Sequence, residues 1–187
     1  MGRPRSDKRE RVIDAATALV YEQGFHRTSL ADVSRASHVP LGNLSYYFRT
    51  KEALGGAVVE RIASAWGAMR ERWEAHEDPR ERLLAFVQMS VERREALALH
   101  GCPVGTLCAE LHKEPGGVAE QAAAVFGELL GWLEAQFVAL GRADDAGDLA
   151  VHLLSAVEGA SLLTLTFHDP SHVVREARVL EGWLRTL

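Results

Sequence analysis

Two groups of side chains have the types and spacing to do chemistry. The first is Pro40, Leu41, Gly42, Asn43 and Ser45 in one short run, with Tyr46, Tyr47 and Lys51 behind it. Asn43 can pair bidentately with an adenine edge, and Leu41 can touch a thymine methyl. Gly42 lets a backbone come close to a duplex. Tyr46, Tyr47 and Lys51 can donate to phosphates, which fixes register without reading sequence. For Tyr46 and Tyr47 the alternative is a place in a core, and for Phe48 a core place is the preferred reading. Thr28 and Ser29, with Arg27 beside them, stand where a helix starts. The free N–H groups and partial positive charge of a helix start suit a phosphate.

The second group is His100, Cys102, Cys108 and His112 in the run HGCPVGTLCAELH. Cys102 precedes Pro103 near an expected helix start, which would lower a thiol pKa and favour the thiolate. Cys108 and His112 are four apart and would share a helix face. Three readings stay open: buried inert thiols, which is preferred; a thiol that senses oxidants or electrophiles; and a two-His, two-Cys metal set. The spacing matches no standard zinc motif, so no metal is expected, and no cofactor.

The elements that must position these groups read as helices throughout. Val12, Ile13, Ala16, Leu19 and Val20 recur at three- and four-residue spacing before Gly24, which predicts a helix from about Asp7 to Gln23. Ser29 with Asp32 has the form of a capping box and opens a short helix to about Ala36. Pro40 suits the first turn of a third helix, which runs to about Phe48. Three helices in this space, the last two joined by a short turn, is helix-turn-helix spacing. Longer helices are expected over Lys51–His76, Pro79–Leu99, a segment ending near Leu111, Val118–Leu140, Asp144–Phe167 and Ser171–Leu187, with a break at Pro115-Gly116-Gly117. No stretch alternates convincingly, so the expectation is an all-α chain of about nine helices.

Charge divides the chain. The net −5 sums a +4 over residues 1–51 and a −9 over residues 52–187. A basic head on an acidic body is the asymmetry expected when one end meets a polyanion. The segment Gly2-Arg3-Pro4-Arg5 could enter a minor groove or remain a solvated tail. With 187 residues, 47% hydrophobic and 25% charged, the chain can bury a sizeable core. Two cysteines give no disulfide framework, and no uninterrupted apolar run reaches the ~18 residues of a membrane span. A cytoplasmic protein without a membrane partner is therefore expected. No Gly-rich phosphate loop, nucleophile elbow or His-Glu-x-x-His pattern is present, so no enzyme is expected.

The run TSLADVSRASHVPLGNLSYYFRTKEAL, Thr28 to Leu54, resembles the DNA-binding domain of TetR-family transcriptional regulators. Val33, Val39, Gly42, Leu44, Phe48, Lys51, Glu52 and Leu54 stand in register with that family's pattern, and AATALVYEQGF matches its first helix. The likeness covers roughly residues 7–60. His38 departs from it, standing at a turn glycine where φ > 0 is needed; His is among the few residue types enriched there. Ser45 departs too, replacing a tyrosine and shortening a phosphate contact.

The resemblance implies a helix-turn-helix domain over residues 1–51 and a ligand-binding and dimerisation domain over residues 52–187. It implies a homodimer that reads a roughly palindromic operator in double-stranded DNA, most simply a repressor released by a small hydrophobic effector. The alternative is a thiol-based repressor using Cys102 or Cys108. Candidate pocket residues are Trp66, Met69, Trp73, Phe86, Met89, Cys102, Cys108, Phe126 and Trp132, any of which could instead be core. The candidate dimer face carries Leu149, Leu153, Ala156, Ala160 and Leu163 on one helix and Val173, Leu180 and Leu184 on the next; closing the monomer's own core is the other use of these residues.

Overall fold

The computed structural model describes residues 5–112 and 117–187, without the side chains of Arg5 and Ser6. Gly2, Arg3 and Pro4 of the basic arm and the Pro115-Gly116 break lie outside the described residues. Among these the chain forms α1 (Arg5–Gln23), α2 (Leu30–Ser37), α3 (Leu41–Tyr47), α4 (Lys51–Glu74), α5 (Pro79–Glu92), α6 (Arg94–His100), α7 (Pro103–Leu111), α8 (Gly117–Ala139), α9 (Ala146–Phe167) and α10 (Ser171–Leu184), and no strand. The all-α expectation holds. One expected helix, Pro79–Leu99, is two: Arg93 (φ −97°, ψ 7°) separates α5 from α6. No proline or glycine marks that break.

Local chemistry explains the short helices. Ser29 caps α2 by accepting from the Asp32 N–H at 3.1 Å, and Asp32 Oδ2 accepts the Ser29 N–H at 3.1 Å, so the expected capping box forms. His38 ends α2 in the left-handed region, φ 55° and ψ 30°. Pro40 lies one residue before α3, not in its first turn as expected. Its carbonyl accepts from the N–H groups of Asn43 at 2.8 Å and Leu44 at 3.2 Å.

The helices form two compact units that do not follow chain order. One takes in the chain up to Ala65 together with residues 106–123; the other takes in residues 66–105 and 124–187. The division expected between residues 51 and 52 thus falls within the first unit. The cause is packing: Leu54, Ala57, Val58 and Ile62 of α4 are buried apolar side chains, as are Val12, Ile13 and Ala16 of α1, Val33, Val39, Leu44 and Phe48. Each buried Val, Leu, Ile or Phe of this set contributes ~1.5–3 kcal/mol, and α1, α2 and α3 alone would lack the apolar surface that α4 adds.

The second unit has a larger core around Phe86, Leu83, Leu133, Phe137, Leu153 and Leu184. Its centre is aromatic. Trp73 meets Phe86 edge-on at 5.5 Å, Trp132 at 5.2 Å and Trp66 at 6.3 Å between ring centroids, geometries that add to simple area burial. By length and composition α8 and α9 could each cross a membrane. Both carry core side chains here, and core helices pass the same test.

Candidate nucleic-acid interface

α3 presents an exposed face. Leu44 is buried and anchors the helix, while Leu41 (49% exposed), Gly42, Asn43, Ser45 and Tyr46 (67% exposed) face outward. A Cβ on Gly42 would meet nothing of the protein within 4 Å. Ser45 Oγ donates to the Gly42 carbonyl at 3.0 Å. Tyr47 is half-buried against Tyr46, with ring centroids 5.4 Å apart and near-perpendicular. Phe48 is buried, with the Arg9 guanidinium 5.5 Å from its ring centre.

At the start of α2 the candidates separate. Arg27 is exposed. Thr28 is buried; its hydroxyl donates to the Gly24 carbonyl at 2.7 Å and accepts from Gln23 Nε2 at 3.3 Å. The hydroxyl is spent closing the turn, and the Thr28 N–H donates to the Phe25 carbonyl at 3.2 Å. Ser29 is exposed, but its hydroxyl is engaged with Asp32. The bonds from Ser29, with the nearby Arg35 charge, hold the Asp32 carboxyl below its usual pKa. Lys51 donates from Nζ to the His26 carbonyl at 3.0 Å and sits 4.8 Å above the Phe25 ring centre. Sequence spacing passed over two exposed cations of this unit, Arg35 and Arg49; they lie on the same short stretch as the reading helix but fit no contact pattern.

The cysteines and pocket candidates fall differently. Cys102 is buried, and the Gly105 N–H points at its sulfur at 3.4 Å. Burial pushes its thiol pKa well up, reinforced by the Glu158 carboxylate, with which it shares a hydrogen bond. The expected lowering by a helix start is overturned: desolvation outweighs the dipole. Glu158 is also raised by burial. A Cβ on Gly105 would lie 2.5 Å from Glu158 Oε2, so any larger residue there would make that carboxyl shift. Cys108 is half-buried and belongs to the first unit, Cys102 to the second. Among the described residues no three His, Cys, Asp or Glu side chains converge as a metal-binding group.

In the second unit, Met69, Trp73 and Met89 line one open cleft of about 530 Å³ between α4, α5 and α10, with Arg72, Arg93 and Arg185 at its walls. Phe86 and Trp132 are core, Trp132 donating from Nε1 to Glu74 Oε1 at 2.8 Å; Trp66 and Phe126 pack partly buried against that core. The Trp66 Nε1–H is buried without a protein acceptor. Of the candidate dimer residues, Leu153, Ala160, Val173, Leu180 and Leu184 are buried inside the unit, Leu149 and Ala156 half-buried, and Leu163 exposed. The first five are core, because their face of α9 and α10 turns inward. The outward apolar side chains are Val151, Leu162, Leu163 and Phe167 on α9 and Val179 on α10.

A capped short helix, a left-handed turn and an exposed second helix on a trihelical unit define a helix-turn-helix DNA-binding protein. Residues 12–58 match the family described as bacterial regulatory proteins, tetR family, and residues 79–178 match the LmrA/YxaF-like transcriptional regulator C-terminal domain. The chain belongs to the TetR family of transcriptional regulators, and it is a regulator, not an enzyme. It is 29% identical over 167 residues to the HTH-type transcriptional regulator LmrA of Bacillus subtilis (strain 168), covering 86% of this chain and 87% of that one. It is 32% identical over 176 residues to an HTH-type transcriptional regulator of Mycobacterium tuberculosis (strain ATCC 25618 / H37Rv), covering 86% of each. A TetR transcriptional regulator from Legionella pneumophila shares the fold, with a TM-score of 0.84 at 21% identity over 97% of this chain and 98% of that one.

Proposed function

We propose that this regulator is a cytoplasmic, dimeric repressor that leaves its operator when a small hydrophobic effector binds the second unit. The observation that carries the reading is the polar gap in that unit's aromatic cluster. Trp66, which packs behind the cleft wall, holds a buried indole N–H without a protein acceptor, and its ring centre lies 6.3 Å from that of Trp73, which lines the cleft. Burying such a donor unpaired costs ~1–3 kcal/mol. A hydrophobic effector carrying one hydrogen-bond acceptor would relieve that cost while packing on Met69, Trp73 and Met89. The homodimer is supported by the outward stripe of Val151, Leu162, Leu163 and Phe167, too apolar a face to leave in water. One head offers few base contacts, so two half-sites about one helical turn apart would be read together.

The effector reading is tested by titrating the tryptophan fluorescence with apolar compounds while monitoring operator release. A compound that quenches the signal and frees the DNA, with both effects blunted in Trp66→Phe, is the expected result. A compound that frees the DNA equally well from Trp66→Phe would place the site elsewhere. Asn43→Ala should relax base choice at one operator position by ~1–3 kcal/mol. Lys51→Ala should weaken binding on every sequence. A salt slope reduced by about one would identify Lys51 as a phosphate contact; an unchanged slope would leave it only its His26 and Phe25 contacts.

A further inference from the structure

The turn between α1 and α2 sets where the DNA-facing start of α2 lies, and a residue far away in sequence holds that turn. Glu110, near the end of α7 and within the same unit, accepts the Phe25 N–H at 2.8 Å on one carboxylate oxygen and the His26 N–H at 2.7 Å on the other. Two backbone donors on one carboxylate form a charge-assisted, bidentate bond of well-defined geometry. The turn is shaped to receive it. Gly24 has φ +89°, and a Cβ there would lie 3.0 Å from Glu110 Oε2, so both its backbone angle and the carboxylate's position favour glycine. On the other side of the same turn Lys51 donates to the His26 carbonyl at 3.0 Å, and the Thr28 hydroxyl ties back to Gly24.

We infer that Glu110 is a positioning residue for DNA binding: its carboxylate clamps the Phe25–His26 turn and so fixes Arg27 and the start of α2 against the DNA backbone. The inference rests on the helix-turn-helix assignment, which the family membership carries, and adds a partner from outside the residues that touch DNA. The sign of the effect separates it from the alternative. A carboxylate that merely sits near a polyanion repels it, and removing the charge would tighten binding. A clamp does the opposite.

The test compares wild type, Glu110→Gln and Glu110→Ala by operator titration across a series of salt concentrations, with DNA-binding stoichiometry and thermal unfolding measured on each. Glutamine keeps the length and one acceptor oxygen, so the expected order of affinity is wild type, then Gln, then Ala, with Ala weaker by about tenfold. The salt slope should be unchanged, because no phosphate contact is removed. Phe25 and His26 amides should exchange faster with solvent in both variants. Full stoichiometry with unchanged or tighter affinity would overturn the proposal. So would a loss confined to stoichiometry and melting temperature, which marks a fold-stabilising residue only. Should both variants unfold, the Phe25 and His26 exchange rates of Glu110→Asp decide: its carboxylate, one methylene shorter, cannot reach both N–H groups, so protection equal to wild type would overturn the clamp. Loss of all specific operator binding by the wild-type protein would instead indict the helix-turn-helix assignment.

Discussion

In the DNA-reading unit, Thr28, Ser29, Asp32 and Glu110 place their polar atoms on the backbone of the turns around α2. In the second unit, Cys102 and Glu158 lie side by side in a desolvated place where both are held towards their neutral forms. The first arrangement fixes a shape that must match DNA. The second tolerates groups that gain little from where they are, which is a common mark of a region kept for a purpose other than stability. The first set thus adds rigidity, as Asp169 does at the start of α10 in the second unit by accepting the Ser171 N–H at 2.8 Å, while the Cys102–Glu158 pair is the desolvated exception.

The contrast between packing and exposure within the second unit gives the largest expected effect. Leu153 is fully buried and Leu163 is 47% exposed on the same helix. Leu153→Ala should cost ~2–5 kcal/mol in urea unfolding, whereas Leu163→Ala should stay within ~0.5 kcal/mol for the monomer. Sedimentation should instead show Leu163→Glu combined with Phe167→Glu shifting the protein towards monomer. Equal unfolding costs for the two alanine variants would mean that α9 has no inward and outward side.

The next effect lies in the first unit, at the turn between α2 and α3. His38 sits at φ 55°, where a non-glycine residue carries ~1–2 kcal/mol of strain. His38→Val, with a branched Cβ, should destabilise the unit by more than ~1 kcal/mol, while His38→Gly should be neutral or mildly stabilising because relief of strain offsets the greater freedom of glycine in the unfolded chain. Thermal melts of the pair against wild type decide it, and a tolerated valine would break the idea that this turn is under conformational demand.

These positions also show what could be read from sequence and what could not. The Ser29–Asp32 box and the His38 turn were legible because each is decided within four residues. The recognition helix was legible because Leu44 buries while its neighbours cannot. The bonds of Thr28 to Gly24 and of Lys51 to His26 were not legible, because they depend on how a turn closes. Glu110 was invisible, since nothing local links it to a turn more than eighty residues earlier. On α9 the apolar residues run nearly all round the helix, so periodicity could show that faces were apolar but not which face met the core. The same limit put Leu153, Leu180 and Leu184 on the interface. For Cys102 the proximity of a helix start suggested a reactive thiol, and only the packing around it showed that desolvation wins.

Ser29→Ala sharpens the comparison at smaller scale. Losing the cap should cost ~1 kcal/mol of stability, and it should let the Asp32 carboxyl return towards its ordinary pKa, since the Ser29 bonds are the main cause of its lowering. Carboxylate titration followed by NMR in the variant checks both halves. An Asp32 that titrates unchanged in Ser29→Ala would show that Arg35 and not the cap holds it.

The smallest effect is a difference in sign between two carboxyls, Asp32 of the first unit and Glu158 of the second. The folded pKa of Asp32 lies below the ordinary value of 3.8, so the folded state favours its charged form. Its stabilisation is present above the unfolded value and fades as pH falls through the folded one. Glu158 is raised above 4.5, so its contribution is fully present below that value and is lost as pH rises through its folded pKa. Asp32→Asn should therefore remove stability chiefly at pH above about 4, leaving the acid end little changed. Glu158→Gln should do the reverse, matching wild type in acid and becoming relatively more stable towards neutral pH, where the wild-type carboxyl has to ionise in a desolvated place. The same variant should bring the Cys102 thiol pKa down only slightly, because burial remains its larger cause. Urea midpoints between pH 3 and pH 8 for the two variants test this, with alkylation rates of Cys102 as the companion measurement. If both variants shift the pH profile in the same direction, the capped Asp32 and the desolvated Glu158 do not differ in how they are held, and the contrast between the two sites fails at its electrostatic level.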